Sequence, residues 1–140
     1  MIKNYSVYTN HALRLLLGIT FVLHGKFKLV WGYSNLSDWL QSQGFPFSEL
    51  FGYVLPWIEV VGGLFIIAGV GTRLCSFLFA GILLIALLKV KIGSGFISST
   101  DTGYEFDLLL LIVSLHVAVS SPNGMKEVWN NLKGGERRRD

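Results

Sequence analysis

The sequence predicts an all-α integral membrane protein, a four-helix bundle forming a single domain over residues 1–140. Hydrophobic residues make up 51% of the chain and charged residues only 15%, whereas a soluble domain carries about 25% charged residues. Four apolar stretches each approach the roughly 20 residues that a helix needs to cross a bilayer. These spans lie at about 12–31, 51–70, 74–92 and 105–121.

Cysteine and charge content narrow the classes of function. Cys75 is the one cysteine, so the chain forms no internal disulfide and supports no Cys-based iron–sulfur cluster. Redox chemistry would therefore use a bound cofactor, a quinone-like ligand or a partner. The net charge of +3 includes one basic run, Arg137–Arg139. Residues 122–140 are interpreted as a cytoplasmic basic tail near anionic lipid, and nucleic acid is not expected as a partner.

The charges between the spans predict the orientation. One side carries the basic residues Lys3, Arg14, Arg73, Lys126, Lys133 and Arg137–Arg139. The other side carries the acidic residues Asp38, Glu49 and Asp101. Because basic residues concentrate on the cytoplasmic side, both termini are predicted to be cytoplasmic. Four lysines at the outer ends of spans oppose this assignment, although their long stems can reach the interface: Lys26, Lys28, Lys89 and Lys91.

Helical spacing predicts which face of each span turns toward the bundle. The first span aligns Arg14, Gly18, Phe21, Gly25, Lys28 and Gly32, with His24 at the edge of this face. The second aligns Pro56, Glu59, Gly62 and Gly63. The third aligns Arg73, Phe77, Gly81, Leu84, Leu88 and Lys91, which turns Lys91 inward rather than Lys89. The fourth aligns Glu105, Leu109, Ile112, His116 and Ser120.

These faces predict one polar cluster in the outer half of the bundle. Ionisable groups are rare inside a bilayer and usually face a partner or a water-filled site. The predicted members are His24, Lys28, Glu59, Lys91 and Glu105. Structural interpretations stand beside the functional one. Glu59 is interpreted as a proton carrier or as a helix-packing ion pair, His24 as a ligand or as an interhelical hydrogen bond, and the two lysines as ligands or as interface anchors.

Other ionisable groups are expected to be structural. Arg14 and Arg73 are interpreted as anchors at the cytoplasmic interface, and His116 as a hydrogen-bonded core residue. Two histidines at different depths do not indicate a haem or metal site, so no metal is expected.

The sequence of the first outer loop, residues 32–50, predicts a structured segment rather than a simple linker. Leu36, Trp39 and Leu40 have the spacing of a short amphipathic helix, which Ser34 or Asn35 would cap. Many aromatic residues lie at the same level: Trp31, Tyr33, Phe45, Phe47, Phe51, Tyr53 and Trp57. They are interpreted as an interfacial aromatic belt, with a lid or stacking surface over a ligand as the alternative.

Several short motifs, taken in order, resemble the DoxX family of small bacterial membrane proteins. They are Arg14-x3-Gly18, His24-Gly25-x2-Lys28, Gly44-Phe45-Pro46, Glu59-x2-Gly62-Gly63, Gly69-x3-Arg73, Lys91-x3-Gly95-Phe96 and Gly103-x-Glu105. The resemblance covers roughly residues 12–122. It implies a four-helix, multi-pass protein of the bacterial inner (plasma) membrane. The family name comes from a subunit of a thiosulfate:quinone oxidoreductase, and many members carry an oxidoreductase label, including some linked to catechol and quinone stress.

Two functions of different classes remain open. In the first, the protein is a membrane oxidoreductase or redox-complex subunit that binds a quinone- or catechol-like molecule. His24, Lys28 and Glu59 would then be catalytic, while Lys91, Glu105 and Trp57 would bind the substrate. In the second, it is a non-enzymatic scaffold or small carrier that recruits a redox partner. The expected partners are the lipid bilayer and a redox protein. The cofactor stays undetermined, with a quinone as the candidate. The substrate and any homo-oligomer stay undetermined as well.

Overall fold

Helices account for nearly all of the structure, a computed structural model that describes residues 2–91, 95–96 and 103–121. In that part of the chain the helices are α1 (Ile2–Trp31), α2 (Tyr33–Ser42), α3 (Ser48–Ala68), α4 (Thr72–Ala86) and α5 (Tyr104–Ser120). A π-helical turn, Leu87–Lys91, continues α4. The predicted all-α class is confirmed, and α2 is the short helix expected in the first outer loop. The predicted tail, residues 122–140, lies outside the described residues.

Two of the described helices meet the requirements for crossing a bilayer by length and composition. They are Ser48–Ala68 and the continuous segment Thr72–Lys91. Large apolar side chains are also exposed along α1 and α5. Exposed apolar surface of this extent is typical of a protein whose surroundings are lipid or another protein.

Glycines bring α1 and α3 into close contact. A Cβ atom on Gly25 would lie 2.6 Å from the carbonyl oxygen of Pro56 and 2.9 Å from the backbone nitrogen of Val60. Gly18 and Gly63 face each other in the same way, since a Cβ on either would lie within 2.8 Å of the other's carbonyl oxygen. Small residues at such positions let helix backbones approach closely. The inward faces predicted for the first two spans are therefore confirmed.

The core is centred on an aromatic stack between α1 and α4. The rings of Phe21 and Phe79 are nearly parallel, with centroids 3.6 Å apart. Buried residues from four helices complete this core cluster: Leu17, Ile66, Leu83, Leu110 and Val117. The stack therefore ties α4 to the close α1–α3 pair.

The inward faces predicted for α4 and α5 are wrong. Gly81 is exposed, and no atom lies within 4 Å of the point where a Cβ on it would stand. Leu84, Leu109 and Ile112 are exposed as well. The buried positions are Thr72, Ser76, Phe79, Ala80 and Leu83 in α4 and Leu110, Ser114, Val117 and Ala118 in α5. Because both helices are apolar on every side, the few charges at their ends do not indicate which side packs inward.

The start of α2 also differs from the prediction. Gly32 occupies the N-cap position with a φ of 98°, a conformation that favours glycine. Neither Ser34 nor Asn35 caps the helix; the Asn35 side-chain amide instead donates to the carbonyl oxygen of Trp31 at 2.7 Å. Glycine also lets α2 pack onto α3, because a Cβ on Gly52 would collide with the Ser37 side chain. This contact holds α2 against the first turns of α3.

Candidate ligand-binding site

A salt bridge between α1 and α3 lies at the centre of the candidate site. The Nζ atom of Lys28 donates to Oε1 of Glu59 at 2.5 Å, and the two side chains are 24% and 3% exposed. Helical side chains lean toward the N-terminus of their own helix. Because α1 and α3 run in opposite directions, the Lys28 and Glu59 side chains lean toward each other. They meet beside Gly25. The structure thus brings Glu59 to Lys28, as its interpretation as a helix-packing ion pair requires.

One oxygen of Glu59 has no hydrogen-bond partner within the part of the chain that the structure describes. This atom, Oε2, is buried. A buried acceptor without a partner is unfavourable, so a ligand or water that donates a hydrogen bond would gain free energy there. Oε2 of Glu105 is in the same situation.

His24 and Asp107 extend the cluster from the salt bridge to α5. The His24 ring lies parallel to that of Phe106, with a centroid distance of 5.8 Å. Lys28, Glu59 and Asp107 all lie within electrostatic range of His24. Asp107 also interacts electrostatically with Lys91 and Glu105. The structure thus brings together the five members predicted from the sequence, which are His24, Lys28, Glu59, Lys91 and Glu105.

Asp107 is a member that helical spacing did not predict, because it lies off the face that aligns Glu105, Leu109 and His116. It carries the signal that identified the others, an ionisable group inside an apolar stretch. Trp57, by contrast, is not brought to the cluster. Its side chain is 50% exposed, since it lies on the side of α3 away from the buried Glu59.

A cavity of about 470 Å³ has the Lys28 side chain of the salt bridge in its wall. Such a volume lies in the range typical of small-molecule sites. Apolar side chains from α2, the α2–α3 connection, α3 and α4 form nearly all of its wall, and two lysines complete the lining. The lining residues are Lys28, Leu36, Trp39, Leu40, Phe45, Pro46, Phe51, Leu55, Ile82, Ile85, Ala86, Lys89 and Val90.

The aromatic residues of the first outer loop divide into two groups. Trp39, Phe45 and Phe51 line the cavity, as a stacking surface over a ligand would require. Tyr33, Phe47 and Tyr53 are exposed on the outside, as an interfacial belt would require. The interfacial belt and the stacking surface over a ligand both stay predictions for this segment.

The π-helical turn places Lys89 at the cavity. Its Nζ atom lies 3.5 Å from the carbonyl oxygen of Gly44 and 5.1 Å from the centroid of the Phe45 ring. Lys91 is half-buried and within range of Asp107. Helical spacing predicted that Lys91 faces inward and Lys89 does not, whereas Lys89 lines the cavity and Lys91 interacts electrostatically with Asp107. A π-helical turn has wider spacing than an α-helix, so helical periodicity does not carry through residues 87–91.

Two other predicted groups lie outside the candidate site. His116 and Asn10 are 2.9 Å apart, from Nε2 to Oδ1, and join α5 to the first half of α1. The Arg14 guanidinium lies at the end of α3, 3.0 Å from where a Cβ on Gly69 would stand. The hydrogen bond expected for His116 is present, but the expected core position is wrong, because His116 is exposed. The anchoring role of Arg14 at the cytoplasmic interface stays a prediction. Within the described residues, no three His, Cys, Asp or Glu side chains are grouped to hold a metal ion.

Two apolar helices of bilayer length and a charged cluster beside a largely apolar cavity are features found in helical membrane proteins. The chain belongs to the DoxX family, whose family profile matches residues 10–92. It is 35% identical over 108 residues to a Bacillus subtilis (strain 168) protein named "Putative oxidoreductase CatD", an alignment that covers 77% of this chain and 75% of that protein. No solved structure matches it significantly.

Proposed function

We propose that the protein is a membrane oxidoreductase, or a redox-complex subunit, that binds a quinone- or catechol-like molecule in the cavity beside Lys28. The observation that carries this proposal is a cavity of about 470 Å³ with a largely apolar wall, in which Lys28, the salt-bridge partner of Glu59, is one of two charged side chains. A flat, apolar ring with oxygen substituents matches such a site: aromatic side chains stack on the ring, and the ammonium donates to a ring oxygen. The oxidoreductase label of the Bacillus subtilis relative supports the same class.

The charged cluster suits the chemistry of such a ligand. Reduction of a quinone to a hydroquinone consumes two electrons and two protons. The electrons would come from a redox partner protein, and the cluster would supply the protons. Lys28 would stabilise negative charge that develops on a ring oxygen, and Oε2 of Glu59 would accept a hydrogen bond from the hydroxyl group of the product. His24 and Asp107, which interact electrostatically with each other, would exchange protons with this pair.

A deletion strain complemented with variants tests this function. We expect deletion to lower tolerance to an added quinone and wild type to restore it. Lys28→Met or Glu59→Gln should fail to restore it when expression is adjusted to give equal amounts of each protein in the membrane. Lys26→Met is the matched control, because Lys26 is an exposed lysine on the same helix and does not line the cavity.

The alternative is a non-enzymatic scaffold or carrier that recruits a redox partner. Normal quinone tolerance in the Lys28→Met and Glu59→Gln strains, with a stable partner recovered on purification, would favour it. A purified protein that binds no quinone, together with unchanged tolerance in the deletion strain, would refute the oxidoreductase proposal.

We also propose that the protein crosses the bacterial plasma membrane four times, through α1, α3, α4 and α5, with both termini in the cytoplasm. The distribution of basic and acidic residues along the chain supports this orientation. A reporter active only in the cytoplasm should be active when joined after residue 140. It should be inactive when inserted beside Gly44, in the α2–α3 connection. Activity at Gly44 would contradict the orientation.

A further inference from the structure

Lys89 brings a positive charge to the cavity that no acidic side chain neutralises within the described residues. The cavity lining contains two lysines and no Asp or Glu. Lys28 is paired with Glu59. Lys89 instead contacts the Gly44 carbonyl oxygen and the Phe45 ring. The charge of Lys28 is therefore neutralised by Glu59. No acidic side chain within the described residues neutralises the charge of Lys89.

The contacts of Lys89 are easily exchanged. A distance of 3.5 Å to the Gly44 oxygen is at the long limit for a hydrogen bond. The Phe45 contact is a cation–π interaction, which stabilises the ammonium only modestly where it remains exposed. An anionic oxygen is a stronger partner for an ammonium than either, because both groups are charged.

We propose that Lys89 is the residue that determines ligand specificity in the cavity, and that it selects flat ring compounds carrying an ionised hydroxyl group. This inference rests on the proposed function and narrows its substrate class from quinones in general to ring anions. The ring would lie among Trp39, Phe45 and Phe51, with its anionic oxygen on Lys89.

Shape and charge distinguish this class from acyl-chain acids, which share an anionic oxygen and an apolar body. Three aromatic side chains line the cavity, and aromatic side chains stack favourably on flat rings. A flexible chain gains no stacking and loses more conformational freedom when it is bound. The Lys89 ammonium would give up the Gly44 oxygen when the ring anion binds.

The test compares two naphthoquinones of nearly the same shape on the full-length protein in lipid nanodiscs. 2-Hydroxy-1,4-naphthoquinone is ionised at neutral pH, while its 2-methoxy ether is neutral. We expect wild type to bind the ionised compound about tenfold more tightly by calorimetry, as for a charged hydrogen bond. Lys89→Met and Lys89→Gln should remove this preference and keep the affinity for the ether, which also verifies folding. Lys26→Met should behave as wild type.

The outcomes separate this inference from the function on which it rests. If wild type binds both naphthoquinones equally, or the Lys89 variants keep the preference, the specificity inference is wrong and quinone binding stands. If neither compound binds, the proposed function fails as well. Decanoate, an acyl-chain acid, tests whether a flexible apolar anion binds as well as a ring anion. We expect it to bind more weakly than the ionised naphthoquinone; equal binding that depends on Lys89 would overturn the ring class.

Discussion

Lys28 and Glu59 form a salt bridge across the contact between α1 and α3, and the Glu59 side chain is 3% exposed. Each charge is the other's principal compensation in surroundings that offer little water. A buried pair of this kind contributes little net stability, but removing one member leaves an uncompensated charge. The pair therefore constrains the two residues jointly.

The first prediction is a non-additive double-mutant cycle at this pair. Lys28→Met and Glu59→Leu should each lower the free energy of unfolding by about 3–5 kcal/mol, because each leaves a buried charge alone. The double variant should regain most of this loss. Reversible unfolding in mixed detergent micelles measures all three. Additive losses would show that the two side chains are not coupled in the folded protein.

The second prediction compares two glycines. Gly25→Ala should destabilise the protein by about 1–3 kcal/mol, as overpacking does, because the new Cβ would lie 2.6 Å from the Pro56 carbonyl oxygen. Gly81→Ala should be neutral or stabilising by up to about 1 kcal/mol, since alanine favours the helix and no atom stands within 4 Å of its Cβ. Thermal unfolding of the two purified variants gives the comparison. Equal effects would mean that close α1–α3 packing does not limit stability.

The third prediction concerns the Phe21–Phe79 stack. Phe79→Ala should cost about 3–5 kcal/mol, as other buried aromatic deletions do, because Phe79 is 0% exposed. Phe77→Ala, two residues earlier in α4, is the control, since Phe77 is 45% exposed and should change the free energy of unfolding by well under half of that. The same unfolding assay applies. A larger loss at Phe77 would place the inward face of α4 where periodicity first suggested it.

The fourth prediction isolates a contact remote from the cavity. Asn10→Leu removes the partner of His116 and should cost about 0.6–1.7 kcal/mol, the range for interhelical hydrogen bonds in membranes. Naphthoquinone affinity should stay unchanged, because this contact joins α5 to the opposite half of α1. A loss of affinity with little loss of stability would connect His116 to the ligand site.

The sequence predicted α1 and α3 better than α4 and α5 for a physical reason. Gly25, Glu59 and Gly63 mark close packing or charge burial, and only one face of each helix satisfies both. In α4 and α5 nearly every position is apolar, and lipid accepts apolar residues as readily as a protein core does. The spacing of apolar residues then does not distinguish the buried face from the lipid-facing one. The burial of Phe79 rather than Gly81 could therefore be seen only in the structure.

The candidate site shows the same division. Lys28 and Glu59 were predicted as members of the cluster, because each is a charge on a face rich in small residues. Their pairing depends on the opposite directions of α1 and α3 and on the length of the two side chains. The spacing of residues within one helix gives no information on either. The cavity depends on how α2 packs against the other helices. The position of Lys89 in its wall could therefore not be predicted from the sequence.

The π-helical turn Leu87–Lys91 makes the outer end of α4 sensitive to length more than to residue type. A π turn bonds each residue to the fifth one along rather than the fourth, so it accommodates extra chain. Conservative replacement of Leu88, which is exposed, leaves that spacing intact. Deleting Leu88 would let an ordinary α-helical turn form and would move Lys89, which lies within the turn, relative to the cavity. Changes of length in these five residues should therefore be tolerated far less than substitutions.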